Sequence, residues 1–310
     1  MATSGGVPGH PTFDLDRLIR SCLAEDLGDR GDITSHATVG ENVTAQGVFI
    51  AKEGGVVAGV EVAERVFALV DDGVERRWSV SDGEVVREGD VLGRIEGKAS
   101  SLLAAERLAL NFMQRMSGVA TLTSRMKERL GESPTKILDT RKTVPGLRVL
   151  DKWAVLLGGG TGHRMGLYDM MMIKDNHIAA AGGIEKALER ADAYLGRENF
   201  VVPVEIEVET LEQVDRVMAY FEKTPKTFLT RVMLDNMVKK TGDGQYDTTL
   251  LNTSVERIGG KLETEASGNI NLRSVEAVGK TGVQFISSGA LTHSVQALDI
   301  SLKLKTNGAA

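Results

Sequence analysis

The second half of the chain is a series of short apolar, β-like runs that each stop at a polar or charged group. There are six of them: TKILDTRK, MMMIKDN, VPVEIEVE, RVMLDN, KLETEASGN and VQFISSG. Helix-like spacers such as GGIEKALERADAYL separate most of them. Repeated strand-then-helix units imply parallel strands joined by crossover helices. The pattern therefore predicts an α/β barrel, and an open doubly wound sheet is the competing arrangement.

The first half of the chain has a different pattern. Leu15 to Leu27 has apolar residues at helical spacing, which predicts a short amphipathic helix. From Val43 to Ile95 the sequence predicts short strands punctuated by glycine, interrupted by a helix from Val60 to Leu69. Ser101 to Leu130 predicts a long helical region. In a chain of 310 residues, this change of pattern favours two domains.

Charge and cysteine content limit the classes of function. The 37 basic and 43 acidic residues give a net charge of −6, which disfavours a general nucleic-acid binder. Cys22 is the single cysteine, so an intrachain disulfide and a cysteine-based metal cluster are excluded. No apolar run approaches the roughly 20 residues that span a bilayer, and the opening residues lack the pattern of a signal peptide. We expect a short disordered leader over residues 1–13 and a cytoplasmic location.

Basic residues are concentrated where the β-like runs end. Arg141, Lys142 and Lys174 directly follow apolar runs, and in a barrel such positions face one common opening. Arginine binds carboxylates and phosphates with two hydrogen bonds, whereas lysine provides a compact charge. The sequence therefore predicts a multiply anionic ligand. For three other basic residues of this region a solvated basic face is the favoured interpretation: Lys136, Arg148 and Lys152.

Carboxylates follow on the next two runs. Glu205, Glu207 and Glu209 alternate along VPVEIEVET, so a strand would place all three on one face. Asp235 ends the next run. Oxygen ligands from two strands, without histidine or cysteine, suit magnesium, which is often shared with substrate phosphates. A strand with one hydrated polar face is the alternative for the three glutamates.

The last two runs end in small residues, Ser267-Gly268-Asn269 and Ser287-Ser288-Gly289. Such loops leave backbone N–H groups free to face a ligand, and they are the usual phosphate-binding loops of barrels. A single Ser-Gly pair indicates only a turn. Together with the basic and acidic ends, the two loops predict a site for a sugar phosphate with a magnesium-bound polyphosphate, beside an anionic second substrate.

At this point the motifs resemble a known family. EDLGDRGDITS, ERLALNFMQRMSGVAT, ILDTRKTVPGLR, GGGTGHRMGLYDMMMIKDNHI, VEIEVET, VMLDNM, EASGNI and ISSGALTHSVQALDISL occur in the order found in quinolinate phosphoribosyltransferases. The resemblance runs from about Leu15 to Leu302. It implies an N-terminal α/β sandwich followed by an incomplete, open α/β barrel of the type II phosphoribosyltransferase kind. The implied boundaries are residues 14–115 for the sandwich, joined by residues 290–310, and residues 116–289 for the barrel.

The resemblance also implies a reaction. Quinolinate and phosphoribosyl pyrophosphate would give nicotinate mononucleotide, pyrophosphate and carbon dioxide, a step of de novo NAD synthesis. Magnesium would be required, and no organic cofactor. The enzyme would be a homodimer or a higher homo-oligomer, in which Arg107 reaches the site of a neighbouring subunit.

Site residues follow from the resemblance position by position. Four residues would hold the carboxylates of quinolinate, assisted by Arg107 in trans: Arg141, His163, Arg164 and Lys174. The residues expected to act in catalysis are Lys142, Lys174, Glu207 and Asp235. Glu207 and Asp235 would hold the magnesium-bound ribose and pyrophosphate, with Lys142 close to both substrates. The expected phosphate-binding residues are Ser267, Gly268, Asn269, Ser288, Gly289 and His293.

The chain departs from the family pattern at two places. Gly162 stands where the family has asparagine; both residues tolerate a positive φ, so we expect the turn to persist without the side-chain hydrogen bond. Residues 237–254, MVKKTGDGQYDTTLLNTS, form an insertion-like spacer that resembles plant members. A plastid location is therefore the alternative to a cytoplasmic one, if a transit peptide has been removed.

Two rival functions stay open at this point. A related type II enzyme that uses nicotinate would need only one carboxylate site, which leaves the surplus of basic residues unexplained. A binding barrel without catalysis would not need Lys142, Lys174, Glu207 and Asp235 together.

Overall fold

The computed structural model describes residues 8–307. The helices are α1 (Leu15–Leu27), α2 (Ile33–Thr38), α3 (Val60–Val70), α4 (Ala99–Leu130), α5 (Arg148–Leu157), α6 (Asp175–Ala181), α7 (Ile184–Glu198), α8 (Leu211–Lys223), α9 (Thr249–Ile258), α10 (Val275–Gly279) and α11 (Ala290–His293). The strands are β1 (Thr44–Ala51), β2 (Gly55–Val56), β3 (Glu75–Trp78), β4 (Val85–Val86), β5 (Val91–Lys98), β6 (Lys136–Leu138), β7 (Met171–Ile173), β8 (Val204–Val208), β9 (Leu229–Asp235), β10 (Lys239–Lys240), β11 (Tyr246–Asp247), β12 (Glu263–Ser267), β13 (Phe285–Ser287) and β14 (Ile300–Asn307).

The described chain forms two compact units. The first contains the described residues up to Ser124, then Val144–Gly159 and the residues from Ser294 onward, and the second contains Arg125–Thr143 and Gly160–His293. Residues 1–7 of the expected leader lie outside the described residues, and His10 and Phe13 pair in a short turn. None of the described helices is both long and apolar enough to cross a membrane.

An antiparallel sheet with the order β14-β1-β5-β3 forms the centre of the first unit. Inward residues alternate along β1, where Ala45, Phe49 and Ala51 are buried, as expected for a sheet with one face on a core. Gly47 is required within this strand, because a Cβ there would lie 2.7 Å from Ile95 and 2.9 Å from Leu302. The last strand of the chain therefore packs closely on the first.

The predicted helices of the first unit are present. Asp14 caps α1 by accepting a hydrogen bond from the N–H of Arg17 (3.0 Å), which satisfies a backbone donor that the helix leaves unpaired. The predicted helix at Val60 spans Val60–Val70, one residue longer than expected. Lys152, expected on a solvated basic face, is instead buried on α5. The expectation was wrong because α5 is buried on all sides from Val149 to Val155.

A six-stranded parallel sheet forms the centre of the second unit, in the order β6-β13-β12-β9-β8-β7. From β7 to β13 each strand lies beside the preceding strand of the sheet, which is the order of a barrel rather than of a doubly wound sheet. Because β6 and β7 are the two edge strands, the barrel is open. The predicted α/β fold with an incomplete barrel is confirmed.

Side chains in this sheet separate by face. In the parallel register Glu205 is opposite Arg231, and Glu207 is opposite Met233. The intervening residues Ile206, Val232 and Ala266 are buried and apolar. Successive residues of a strand face opposite sides. Glu205 and Glu207 therefore share one face of the sheet, as their spacing predicts.

Candidate active site

A cavity of about 680 Å³ lies at the carboxyl ends of the parallel strands. Every residue that lines it belongs to the second unit. Twelve residues expected from the sequence are among them: Arg141, Lys142, His163, Arg164, Lys174, Glu207, Asp235, Ser267, Gly268, Asn269, Gly289 and His293. Helix N-termini follow several of these strand ends, so backbone N–H groups add positive potential at the same edge.

Two expected residues do not line this cavity. Ser288 is buried, and its hydroxyl donates to the carbonyl of Ile270 (2.6 Å); the neighbouring Ser287 lines the cavity instead. Arg107 is exposed on α4 in the first unit. Its expected action in a neighbouring subunit stays a prediction.

One part of the cavity wall is cationic. Arg141 has a buried Nη1 without a hydrogen-bond partner in the described structure. Burial, together with the charge of Arg141, lowers the pKa of Arg164. Two guanidinium groups that repel each other, one with an unsatisfied donor, would be stabilised by an anion between them.

The segment that supplies Arg164 follows a glycine turn and attaches to the edge strand β6. Thr161 pairs with Leu138, and its N–H donates to the carbonyl of Ile137 (2.8 Å). Arg164 Nη1 donates to the carbonyl of Met170 (3.2 Å). Gly162 does not have a positive φ, and a Cβ at this position meets nothing within 4 Å. The expected reliance on the permissive backbone of Gly162 was therefore wrong, because an ordinary residue fits there.

Lys174 lies between the end of β7 and the start of α6. Its N–H donates to Nδ1 of His177 (3.0 Å), which fixes the first turn of the helix. The ammonium group of Lys174 forms an ion pair with Glu207 on β8. The lysine expected to bind the dicarboxylate and the glutamate expected to bind the ribose therefore form an ion pair with each other.

The acidic and small-residue parts of the cavity are adjacent. Asp235 ends β9, and Asn236 follows it with a φ of 55°. Gly268 has a φ of 95°, and a Cβ there would lie 2.4 Å from Oδ1 of Asn236 and 2.8 Å from its backbone nitrogen. Only glycine fits this close approach. The loop after β12 is thus held directly against the residue that follows Asp235.

The residues present suit magnesium. Glu207 and Asp235 both line the cavity and offer carboxylate oxygens from neighbouring strands. Hard oxygen donors of this kind bind magnesium together with water and substrate oxygens. Glu209, the third alternating glutamate, lies beyond the end of β8 and is exposed.

Sequence reasoning missed a buried ionic cluster next to the cavity. We call it the imidazole cluster; it consists of His163, Glu205, Arg231 and Glu265. Nε2 of His163 lies 3.1 Å from Oε2 of Glu205 and 3.2 Å from Oε2 of Glu265. Arg231 Nη1 donates to Oε2 of the same Glu265 (3.0 Å). The alternation of Glu263 and Glu265 in KLETEASGN was the available signal.

The cluster shifts the acid–base properties of its members. Burial alone would lower the pKa of His163, but the hydrogen bonds and charges of the two glutamates outweigh it and raise the pKa to about 9. Burial and the charge of Glu265 raise the pKa of Glu205 to about 7. Burial opposes ionisation of Glu265, but hydrogen bonds from His163 and Ser287 lower its pKa. A proton is therefore held among these groups at neutral pH.

Comparison with known proteins now places the chain in a family. "Quinolinate phosphoribosyl transferase, N-terminal domain" matches residues 32–117, and "Quinolinate phosphoribosyl transferase, C-terminal domain" matches residues 119–303. The chain belongs to the quinolinate phosphoribosyltransferase family.

Individual members of this family are similar over nearly the whole chain. Quinolinate phosphoribosyltransferase [decarboxylating] 1 of Nicotiana glauca is 54% identical over 299 residues, which is 96% of this chain and 85% of the relative. Nicotinate-nucleotide pyrophosphorylase [carboxylating], chloroplastic, of Arabidopsis thaliana is 53% identical over the same shares of the two chains. The crystal structure of NadC from Streptococcus pyogenes matches with a TM-score of 0.85 at 36% identity, covering 97% of this chain and all of that chain.

Proposed function

We infer that the chain is a nicotinate-nucleotide diphosphorylase (carboxylating). It transfers phosphoribosyl from phosphoribosyl pyrophosphate to quinolinate, with loss of carbon dioxide, and yields nicotinate mononucleotide and pyrophosphate. The single observation that carries this inference is the shared cavity: cationic groups at the ends of β6 and β7 face carboxylates at the ends of β8 and β9.

We propose that the cationic side binds the two carboxylates of quinolinate. Arg141 and Arg164 would bind one or both carboxylates with paired hydrogen bonds, and Lys174 would exchange Glu207 for a substrate carboxylate. The buried, unpaired Nη1 of Arg141 supports this role. Holding the dicarboxylate fixes the ring nitrogen opposite the sugar carbon, and such positioning contributes a large share of the rate.

We propose that the acidic side binds the other substrate. Glu207 and Asp235 would hold the ribose hydroxyls and the magnesium-bound pyrophosphate, and the loops at Ser267–Asn269 and Gly289 would bind the 5′-phosphate. Magnesium, when bound, neutralises charge that develops on the departing pyrophosphate. Lys142 is exposed at the edge of the cavity, from which its charge can act on both substrates.

The transfer forms the bond from the ring nitrogen to the sugar carbon and breaks the bond from that carbon to the pyrophosphate oxygen. The alkylated ring nitrogen is positively charged. It therefore stabilises the electron pair that remains on the neighbouring carbon when the carboxylate leaves as carbon dioxide, and a proton then joins that carbon. No organic cofactor is needed for these steps.

Turnover of quinolinate and nicotinate, measured side by side, tests the assignment. Quinolinate carries two carboxylates and nicotinate carries one, so we expect turnover with quinolinate and little with nicotinate. Equal turnover of both would favour the nicotinate-using alternative. Calorimetric binding of quinolinate without release of carbon dioxide would favour a binding protein.

We further propose that the smallest competent unit is a homodimer in which Arg107 acts in trans. Support comes from the exposure of Arg107 on α4. A mixture of inactive Arg107→Ala and inactive Lys174→Ala subunits should recover activity, because a hybrid dimer has one site with both residues. No recovery after subunit exchange would contradict action in trans.

A plastid location is proposed on the similarity to the chloroplastic Arabidopsis protein, and import of a tagged precursor would test it.

A further inference from the structure

The imidazole cluster has a geometry that binding of substrate alone does not explain. Glu205 and Glu265 are both fully buried, with 0% of their side-chain surface exposed. Burying two carboxylates is costly unless they are paired and hydrogen-bonded. Each also has an Oε1 atom without a partner in the described structure. Such an arrangement calls for an explanation, and both carboxylates lie within hydrogen-bonding distance of Nε2 of His163.

The two carboxylates are held by the sheet itself. Glu205 is on β8 and Glu265 is on β12, with β9 between them. Arg231 on β9 is opposite Glu205 on one side and Glu263 on the other. Its guanidinium lies 4.0 Å from the ring centroid of Phe285, a cation–π distance. The two acceptors for Nε2 are therefore on two strands that β9 joins through hydrogen bonds.

His163, in contrast, is on a loop. Its backbone N–H donates to Oδ1 of Asp139 (2.8 Å), and the N–H of Arg164 donates to its Nδ1 (2.7 Å). The next side chain along the loop is the guanidinium of Arg164, in the cavity wall. The ring therefore lies between two carboxylates of the parallel sheet and the backbone of Arg164, the residue proposed to bind quinolinate.

The contacts at the two ring nitrogens favour different charge states. Acceptance at Nδ1 requires a neutral ring, whereas the two carboxylates favour the cation. Two charged acceptors at hydrogen-bonding distance outweigh one backbone dipole, so we expect the cation at neutral pH. His163 then acts on Arg164 through the chain that joins them, which Asp139 holds by accepting from the N–H of His163 (2.8 Å). In both states Nε2 carries the proton that is donated to the carboxylates, and the interaction is stronger with the cation.

We propose that Glu265 and Glu205 are positioning residues. They accept the hydrogen bond of Nε2 of His163 and thereby hold the loop that orients the Arg164 guanidinium toward the dicarboxylate substrate. His163 then acts by orienting its neighbour, with Nε2 directed at the carboxylates. The inference rests on the proposed function, because quinolinate affinity is one of its readouts. Among the described residues, Asp139, Arg164 and Arg231 are charged residues that also contact His163 or its two carboxylates.

The test compares Glu265→Ala, Glu265→Gln and the control Glu263→Gln. The alanine variant removes the acceptor, and we expect KM for quinolinate to rise about tenfold or more, the loss for one hydrogen bond to a charged group. The glutamine variant keeps an acceptor and should restore most of the affinity. Glu263→Gln removes the other carboxylate of Arg231 without touching His163, and it should leave KM unchanged. KM for phosphoribosyl pyrophosphate should change less than about twofold throughout.

Nuclear magnetic resonance of the histidine side chains gives a readout that does not depend on turnover. A slowly exchanging Nε2–H proton of His163 should be present in the wild type and in Glu265→Gln, and it should exchange faster in Glu265→Ala, in which Glu205 is the remaining acceptor. An unchanged His163 signal in Glu265→Ala would overturn the proposal. A signal that changes when EDTA is added would also overturn it, because a divalent cation would then bridge the carboxylates. If the wild-type protein does not turn over quinolinate, the proposed function is contradicted, but the His163 proton signal can still be measured.

A double-mutant cycle covers the case in which Glu265→Ala folds poorly. Glu205→Ala alone should raise KM for quinolinate, and in a His163→Asn background it should have no further effect, because Glu205 and His163 act through one contact. Additive effects of the two substitutions would contradict the proposal.

Discussion

Replacing Gly268 with alanine tests whether the loop after β12 is positioned by its contact with Asn236. Gly268 has a φ of 95°, so any other residue is strained there by about 1–2 kcal/mol. The new Cβ would also lie 2.4 Å from Oδ1 and 2.8 Å from the backbone nitrogen of Asn236. Relieving that overlap requires the backbone to shift, and overpacking of this kind costs about 1–3 kcal/mol. We expect Gly268→Ala to lower the free energy of unfolding by about 2–5 kcal/mol in total.

Gly282→Ala is the matched control. Gly282 also has a positive φ, 77°, but nothing lies within 4 Å of its Cβ position, and it does not line the cavity. The control should therefore lose only the backbone term, about 1–2 kcal/mol. Unfolding in urea, followed by circular dichroism, measures both variants under the same conditions.

The two variants should also differ in activity. The shift of Asn236 in Gly268→Ala moves Asp235, so kcat/KM for phosphoribosyl pyrophosphate should fall by about tenfold to a hundredfold. Gly282→Ala should retain wild-type kinetics. If Gly268→Ala and Gly282→Ala are equally stable and equally active, the loop contact does not position the site.

Three further predictions concern the cavity. Arg141→Ala should abolish turnover of quinolinate without lowering the unfolding midpoint, because it removes a buried guanidinium with an unpaired donor; a folded variant with near-normal activity would refute its role. Chelation of magnesium should stop pyrophosphate release and leave the circular dichroism spectrum unchanged, and magnesium should restore the rate. The pKa of His163 is raised to about 9, so its contribution to stability is present below about pH 6.5 and is lost as the pH rises through about 9. Urea midpoints should fall over this range in the wild type and less in His163→Asn.

The arrangement of the barrel could be predicted from the sequence because its signal is local. Strands of the parallel sheet end close to the polar groups that the sequence shows after its apolar runs: β7 ends just before Lys174, and β9 ends at Asp235. Parallel strands bring such ends to one edge. Basic, acidic and small residues from separate runs therefore had to meet in one cavity.

The imidazole cluster could not be predicted in the same way. His163 is on a loop, and its partner Glu205 is 42 residues away in the sequence. Its other partner, Glu265, is more distant still, and β9 separates the strands of the two glutamates. Their pairing depends on strand register and on the direction of one imidazole ring, neither of which has a local sequence signal. The exclusion of Ser288 from the cavity is similar: the choice between Ser287 and Ser288 depends on which one faces inward at the end of β13.

Release of labelled carbon dioxide from carboxyl-labelled quinolinate tests the central claim most directly. The measurement is made with and without phosphoribosyl pyrophosphate and magnesium, and with Lys174→Ala as the inactive control. We predict release only when both are present, in equal amount to the pyrophosphate formed. Absence of release from the folded wild-type protein under these conditions, or release that does not require phosphoribosyl pyrophosphate, would contradict the proposed reaction.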